Sequence, residues 1–171
     1  MGAIVDHDVT FNFKQAMRRL TTTISLITTE FEGRYYGMAA TAVQSVSAEP
    51  PSILVCLNKS ASISQPLSAR GRFAVSLLRT SHADLVPVFS GKVKSDERFN
   101  YGNWQELEGM PVLEGAQATM ICDYMAALSV SSHDIVVGEV RAARVCSDIS
   151  PLLYQDGRFA RSLLLDDGVP K

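Results

Sequence analysis

The sequence predicts a mainly β protein, an antiparallel β-barrel carrying a few short helices. Three observations point there. Ala116, Ala118, Met120, Cys122, Tyr124, Ala126 and Leu128 alternate with more polar neighbours at period two, the mark of a half-buried strand. A second long apolar run, Ile135 to Val145, follows the polar segment Val130-Ser131-Ser132-His133. Strands and helices do not alternate regularly along the chain, which disfavours a doubly wound parallel sheet.

The elements follow in order. Phe13, Ala16, Met17 and Leu20 recur at helical spacing and predict a helix over Thr10 to Leu20, with Thr10 or Asn12 as N-cap. Thr22 to Phe31, rich in Thr and Ile, reads as a strand, and the turn Glu32-Gly33 leads into a second strand from Arg34 to about Ala40. Ser52 to Leu57 is a third strand. Ser62 to Arg70 reads as a short helix and Arg72 to Leu78 as another strand. Leu85, Val86 and Phe89 share one face of a helix expected over His82 to Ser90, whereas Val93 to Gly115, which holds Trp104, reads as polar and irregular. From Pro151 on, Leu152-Leu153-Tyr154 reads as an anchor followed by a Gly157 turn. Trp104 is expected to pack rather than to stack on a ligand, and His82 to begin a surface helix.

Composition narrows the function classes. A chain of 171 residues fits one domain, residues 1–171 with a core of about 10–160. A domain of this size buries about 70% of its unfolded-chain surface and needs no staple. The formal net charge of −2 offers no electrostatic case for nucleic acid or an anionic membrane. No apolar run is long enough for a membrane helix, and the first residues lack the pattern of a secretory signal. Met1-Gly2 opens like a myristoylation site, but Asp6 stands where Ser or Thr is needed, so the start reads as an ordinary leader. Cys56, Cys122 and Cys146 are odd in number and far apart, and each lies in an apolar strand pattern. Buried free thiols in a reducing, cytoplasmic compartment are expected. The three histidines have no ligand spacing with one another or with the cysteines, so no metal site is expected.

The segment Gly37 to Ser64 carries most of the functional information. Small and hydroxyl residues run to Glu49-Pro50-Pro51, the strand Ser52 to Leu57 follows, and the polar turn Asn58-Lys59-Ser60-Ala61-Ser62 ends it. Small residues let a flat ligand approach the backbone, and a turn with a lysine, an amide and hydroxyls suits a phosphate. The two features lie one short strand apart, about the reach of a mononucleotide at roughly 3.3 Å per strand residue. A Ser/Thr-rich hairpin with an incidental Pro-Pro turn is the plain alternative.

Gly37-Met38-Ala39-Ala40-Thr41-Ala42-Val43-Gln44-Ser45-Val46-Ser47-Ala48-Glu49-Pro50-Pro51 resembles the flavin reductase-like family, whose pattern is close to G-M-T-A-S-x-F-x-S-V-S-x-x-P-P. The resemblance extends to Phe73-Ala74-Val75-Ser76-Leu77-Leu78, Asp96-Glu97-Arg98-Phe99, His133 with Ile135-Val136-Val137-Gly138-Glu139-Val140, and Pro151-Leu152-Leu153-Tyr154, covering roughly residues 10 to 160. One departure stands out: Ser131-Ser132 precede His133 where many members carry Gly-Asp.

The resemblance implies a Greek-key split β-barrel, a homodimer with flavin near its two-fold interface, FMN or FAD as the flavin, and NADH or NADPH as hydride donor. It also implies a separate monooxygenase component, or another acceptor, for the reduced flavin. Met38, Ala39, Ala40, Thr41, Ala42, Val43, Gln44 and Ser45 would line the isoalloxazine. Asn58, Lys59, Ser60 and Ser62 would hold the phosphate; helix N-capping for the serines and a solvated turn position for Lys59 are the alternatives. His133 would contact the nicotinamide or its ribose. Tyr154 would cover the nicotinamide or, alternatively, anchor the C-terminal tail. Such a reductase needs little acid–base machinery, because the cofactor performs the hydride step and the protein supplies binding and orientation. A non-catalytic flavin carrier is the competing reading, and the loss of Gly-Asp before His133 is its main support. A reductase of corrin cobalt is an enzymatic variant.

Overall fold

The structure, a computed structural model, describes residues 8–164. The leader read at residues 1–7 lies outside the described residues. Helix α1 (Val9–Met17) is capped by Asp8, whose carboxylate accepts from the Thr10 amide at 2.8 Å; neither Thr10 nor Asn12 is the cap. The expected strand from Thr22 divides into β1 (Thr22–Thr23) and β2 (Ser25–Phe31), followed by β3 (Arg34–Ala40), β4 (Val43–Ala48) and β5 (Pro51–Asn58). Helix α2 (Ser64–Arg70) ends at Gly71, whose φ of 71° gives the left-handed turn that glycine adopts without strain. Strand β6 (Arg72–Leu77) leads into a broken segment, with a 3₁₀ turn Thr80–His82, the short α3 (Leu85–Pro87) and a π-turn Val88–Lys92, where one continuous helix was expected.

The region expected to be irregular contains a second hairpin, β7 (Trp104–Leu107) and β8 (Met110–Leu113). The two long strands are β9 (Ala118–Val130) and β10 (His133–Val145), and the chain closes with the hairpin β11 (Leu152–Gln155) and β12 (Arg158–Arg161).

Seven antiparallel strands form the main sheet in the order β3-β2-β6-β9-β10-β5-β4. The edge strands β3 and β4 are consecutive in the chain, joined only by Thr41 and Ala42. Three Cα steps span at most about 11 Å, so the sheet must curl until its edges approach, and the barrel stays split at Thr41. The long return from β5 through α2 to β6, beside β2, gives the order its Greek-key character.

Inside the curl Ile27, Val55, Leu57, Ile63, Leu67, Phe73 and Val75 form one core, all buried. A second, with Ile24, Leu26, Leu78, Leu85, Phe89 and Leu152, packs the 85–92 segment and β11 on the outer face. Strand β2 is therefore buried on both faces, and its hydroxyls need internal partners. Thr28 Oγ1 donates to the Pro111 carbonyl at 2.5 Å and Thr29 Oγ1 to the Arg72 carbonyl at 2.7 Å. The apolar face of α1 behaves otherwise: Phe13 and Met17 are exposed, as is Leu20 beyond the end of the helix, which stops at Met17 rather than at Leu20, and the helix buries no residue.

Candidate active site

Two clefts meet at the strand that leads into the split. The first, of about 560 Å³, is polar: Asn58, Ser60, Ser62, Ser90, Ser95 and Arg98 line it together with Met38 and Ala39. The second, of about 400 Å³, is mostly apolar: Ile24, Ala39, Ala40, Val86, Pro87, Tyr154 and Phe159 line it with Thr41, Ser90 and Lys92. Ala39 and Ser90 belong to both, so the clefts share a seam.

Local sequence explains the polar cleft. Asn58 ends β5, and its Oδ1 accepts from the Ser60 amide at 2.9 Å and the Ser60 hydroxyl at 2.8 Å, closing an Asx turn. Ser62 and Ser95 share a hydroxyl–hydroxyl bond of 2.8 Å. Neither Ser60 nor Ser62 caps α2, whose N-cap is Ile63 without a side-chain bond. Arg98 donates from Nε to the Val93 carbonyl at 3.1 Å and from Nη1 to the Gly37 carbonyl at 2.8 Å. It thereby ties the cleft wall to β3, and burial pulls its pKa below the ordinary arginine value. Beneath it Phe89, Phe99 and Trp104 pack with centroids 4.7–5.5 Å apart. Gly37 is required there, because a Cβ would lie 2.8 Å from Phe89 Cε1.

The small-residue run Met38 to Ser45 passes all along this region. Met38 and Ala39 face the polar cleft; Ala39, Ala40 and Thr41 face the apolar one. Thr41, Ala42, Val43, Gln44 and Ser45 line a third cleft, of about 680 Å³, in the split itself, and Ser25 contributes to its wall. Ser25 Oγ is buried and without a hydrogen-bond partner.

Two expected residues have other partners. Lys59 Nζ donates to the Ser131 carbonyl at 2.8 Å and lies 3.9 Å from Asp134 Oδ1, on a separate cleft beside α2. His133 opens β10 opposite Asn58, and its Nδ1 lies 2.9 Å from Ser132 Oγ; it is exposed and lines neither of the two joined clefts. Ser131 carries φ of 51° where the family pattern has glycine. Tyr154 does reach the apolar cleft, 6.4 Å from the Phe159 ring centre. Arg98, Ser95, Ser90 and Lys92 were not foreseen at the site. The Asp96-Glu97-Arg98-Phe99 element was the available signal for Arg98.

Trp104 packs against Phe89 and Phe99 and donates from Nε1 to the Tyr101 carbonyl at 2.8 Å. His82 is half-buried and accepts at Nδ1 from the Arg79 amide at 3.3 Å; burial, then the Arg79 charge, lowers its pKa. All three cysteines are free. Only Cys122 is fully buried, and burial pushes its thiol pKa up to about 12; Cys56 and Cys146 are half-buried. Among the described residues no group of three or more His, Cys, Asp or Glu could hold a metal ion.

The residues fit a flavin on three counts. Hydroxyls, an amide and a guanidinium converge on one cleft, the donor set a phosphate needs. Ala39, Ala40 and Ala42 leave the adjoining backbone open to a flat ring. The unpartnered Ser25 hydroxyl marks polar capacity at the far end of the run. The class so defined is a flavin-handling oxidoreductase built on a split barrel.

Comparison narrows this. Residues 17–162 match the flavin reductase-like domain family, and the chain belongs to that family. It is 40% identical over 151 residues to the reductase component of an FADH2-dependent resorcinol hydroxylase from Rhizobium sp. (strain MTP-10005), covering 86% of this chain and 84% of the relative. It is 38% identical over 149 residues to the FMN reductase (NADH) RutF of Variovorax paradoxus (strain S110), covering 86% and 83%. Among solved structures, the NADH:FAD oxidoreductase SgcE6 of Streptomyces globisporus C-1027, in complex with NAD and FAD fragments, superposes with a TM-score of 0.86 at 28% identity, covering 98% of this chain and all (100%) of that one.

Proposed function

We propose that this chain, as a single domain, is an NADH-oxidising flavin reductase that supplies reduced FMN or FAD to a separate oxygenase component. The seam carries the reading: a phosphate-type cleft and an apolar, ring-sized cleft share Ala39 and Ser90 along one small-residue strand. The relatives' activities support it, since they are an NADH-dependent FMN reductase and a hydroxylase's reductase component. NADPH as donor is the alternative that the first experiment decides.

Asn58, Ser60, Ser62, Ser95 and Arg98 hold the phosphate by charge-assisted and neutral hydrogen bonds. Met38 to Ser45 present backbone and short side chains to the ring. Tyr154 and Phe159 wall the apolar cleft, where the nicotinamide would enter. A bound flavin would supply the redox chemistry, and these residues would bind and orient it. Lys59 acts from behind, pinning the 131–134 turn that carries His133. His133 serves the nicotinamide in a C2 homodimer, which brings the exposed β9–β10 end of one copy to the clefts of the other. Exposed Phe13 and Met17 on α1 and Leu20 just after it, with Met125, Leu128 and Val130 on β9, supply apolar surface for such a dimer. No helix among the described residues is long and apolar enough to cross a membrane, and three free thiols suit the cytoplasm. Corrin cobalt as acceptor uses the same clefts, because the acceptor lies outside them.

Anaerobic stopped-flow mixing of flavin-loaded protein with NADH, then NADPH, tests the reading. Fast bleaching of the oxidised flavin band is expected with NADH. Tight flavin binding without bleaching by either nucleotide would favour the flavin-carrier reading, which the Ser131-Ser132 departure before His133 supports.

A further inference from the structure

The geometry points to Lys92 as the residue that holds the diphosphate of the pyridine nucleotide, an assignment that rests on the reductase reading and deepens it. Among the described residues Lys92 is the only charged one lining the apolar cleft, and no carboxylate among them lines it. No ion pair or hydrogen bond engages its ammonium among the described residues. The other long cations nearby are committed or stand elsewhere. Arg98 is bound to two carbonyls on the polar side, and Arg18 is paired with Asp156 at 2.7 Å.

The π-turn Val88–Lys92 places that charge. Val88 and Phe89 are buried and anchor it. Ser90 sits on the seam, Gly91 lies on the polar cleft and Lys92 on the apolar one. Gly91 makes this handover possible: its φ of 103° lies in the region that favours glycine. Consecutive residues of one anchored turn therefore serve the two clefts. A nicotinamide against Tyr154 and Phe159 carries a doubly negative diphosphate a few ångströms from its ring. A flexible lysine lining the same cleft suits such a group as a point charge, without the fixed fork of arginine. The flavin phosphate has its own donors in the polar cleft, so Lys92 is left for the second nucleotide.

The test titrates FMN-loaded protein with NAD+, which binds without turnover, by calorimetry at low and moderate salt. Lys92→Gln is expected to raise the NAD+ Kd about fivefold, the upper end for an exposed ion pair. The salt dependence of that Kd should become shallower, FMN affinity should not change, and Lys92→Arg should recover most of the loss. Lys14→Gln, on the neighbouring cleft beside Tyr154, should have no effect. The assignment is overturned if Lys92→Gln leaves the NAD+ Kd unchanged, if it weakens FMN instead, or if Lys14→Gln reproduces the loss. Wild-type protein that shows the Lys92 dependence but never oxidises NADH sinks the reductase reading while supporting Lys92. Wild type that reduces FMN with NADH, beside a Lys92→Gln variant with identical NAD+ affinity, sinks only the Lys92 assignment.

Discussion

The two clefts on either side of Ala39 are organised differently. In the polar cleft the donors are already held: Ser60 by Asn58, Ser62 by Ser95, and Arg98 by the Val93 and Gly37 carbonyls. In the apolar cleft Lys92 has no partner among the described residues, and Tyr154 and Phe159 are exposed side chains on a terminal hairpin. Ordering a side chain on binding costs about 0.5–1.5 kcal/mol. The polar cleft has largely met that cost in folding; the apolar cleft meets it when a ligand arrives. On the proposed reading, the flavin cleft is organised before its ligand arrives and the nicotinamide cleft is organised by its ligand.

Removal of Arg98 should break the polar cleft hardest. Arg98→Ala loses a charged hydrogen-bond donor and frees the Gly37 carbonyl, so flavin Kd should rise about tenfold to a hundredfold, from roughly 1.5–3 kcal/mol. Arg98→Lys should recover only part, because one ammonium cannot bridge both carbonyls and still face the anion. Equilibrium flavin fluorescence reads both. If Arg98→Ala binds flavin normally, the phosphate is not held in this cleft and the comparison collapses.

A matched pair of glycines sharpens the point. A Cβ on Gly37 would lie 2.8 Å from Phe89 Cε1, and one on Gly138 would lie 2.6 Å from Phe73 Cζ. Both Gly37→Ala and Gly138→Ala should destabilise by about 1–3 kcal/mol through overpacking, read by denaturant midpoint. Only Gly37 abuts the aromatic cluster beneath Arg98, so only its variant should also weaken flavin. Equal loss of flavin affinity in both would mean that the cleft simply tracks global stability. On the apolar side, Tyr154→Ala should raise the NADH KM about threefold to tenfold by removing a ring from the cleft wall, while flavin Kd stays unchanged.

The same contrast explains what the sequence made legible. The polar turn Asn58 to Ser62 was readable because its chemistry is local: an amide, hydroxyls and a lysine within one loop. Lys59 shows the limit, for nothing in its neighbours reveals that Ser131, across the sheet, takes its ammonium. Arg98 and Lys92 reach the site through tertiary packing and carry no periodic signal. Period two exposed β9 and β10 clearly. Strand β4 escaped notice because it is a polar edge with almost no buried face, and β7–β8 because four-residue strands around Glu108-Gly109 fall below any periodic window. The α1 pattern was read correctly as apolar on one face, but a periodicity cannot say what covers that face.

The smallest effect expected belongs to the ion pair at the foot of the Tyr154 hairpin. Arg18 Nε donates to Asp156 Oδ1 at 2.7 Å, linking the end of α1 to the turn after β11, and the cleft beside it is lined by Tyr154 and Phe13. The Arg18 guanidinium, by hydrogen bond and then by charge, holds the Asp156 carboxyl below its ordinary 3.8. A lowered folded pKa contributes stability above the ordinary value and loses it as pH falls through the folded one. Both side chains are more than half exposed, so solvent screens most of that contribution. Backbone bonds survive the substitution, since the Asp156 amide still donates to the Arg18 carbonyl at 3.0 Å. Asp156→Asn should therefore leave Tm near the wild-type value at neutral pH and raise the NADH KM no more than about twofold. Any Tm difference should vanish in acid, once the wild-type carboxyl is protonated as well. Thermal melts across the acid range and a KM at neutral pH check both statements. A KM rise as large as that of Tyr154→Ala would show that the hairpin depends on this pair for its position. A change in flavin Kd would show that the two clefts are coupled through α1, and their separation would have to be abandoned.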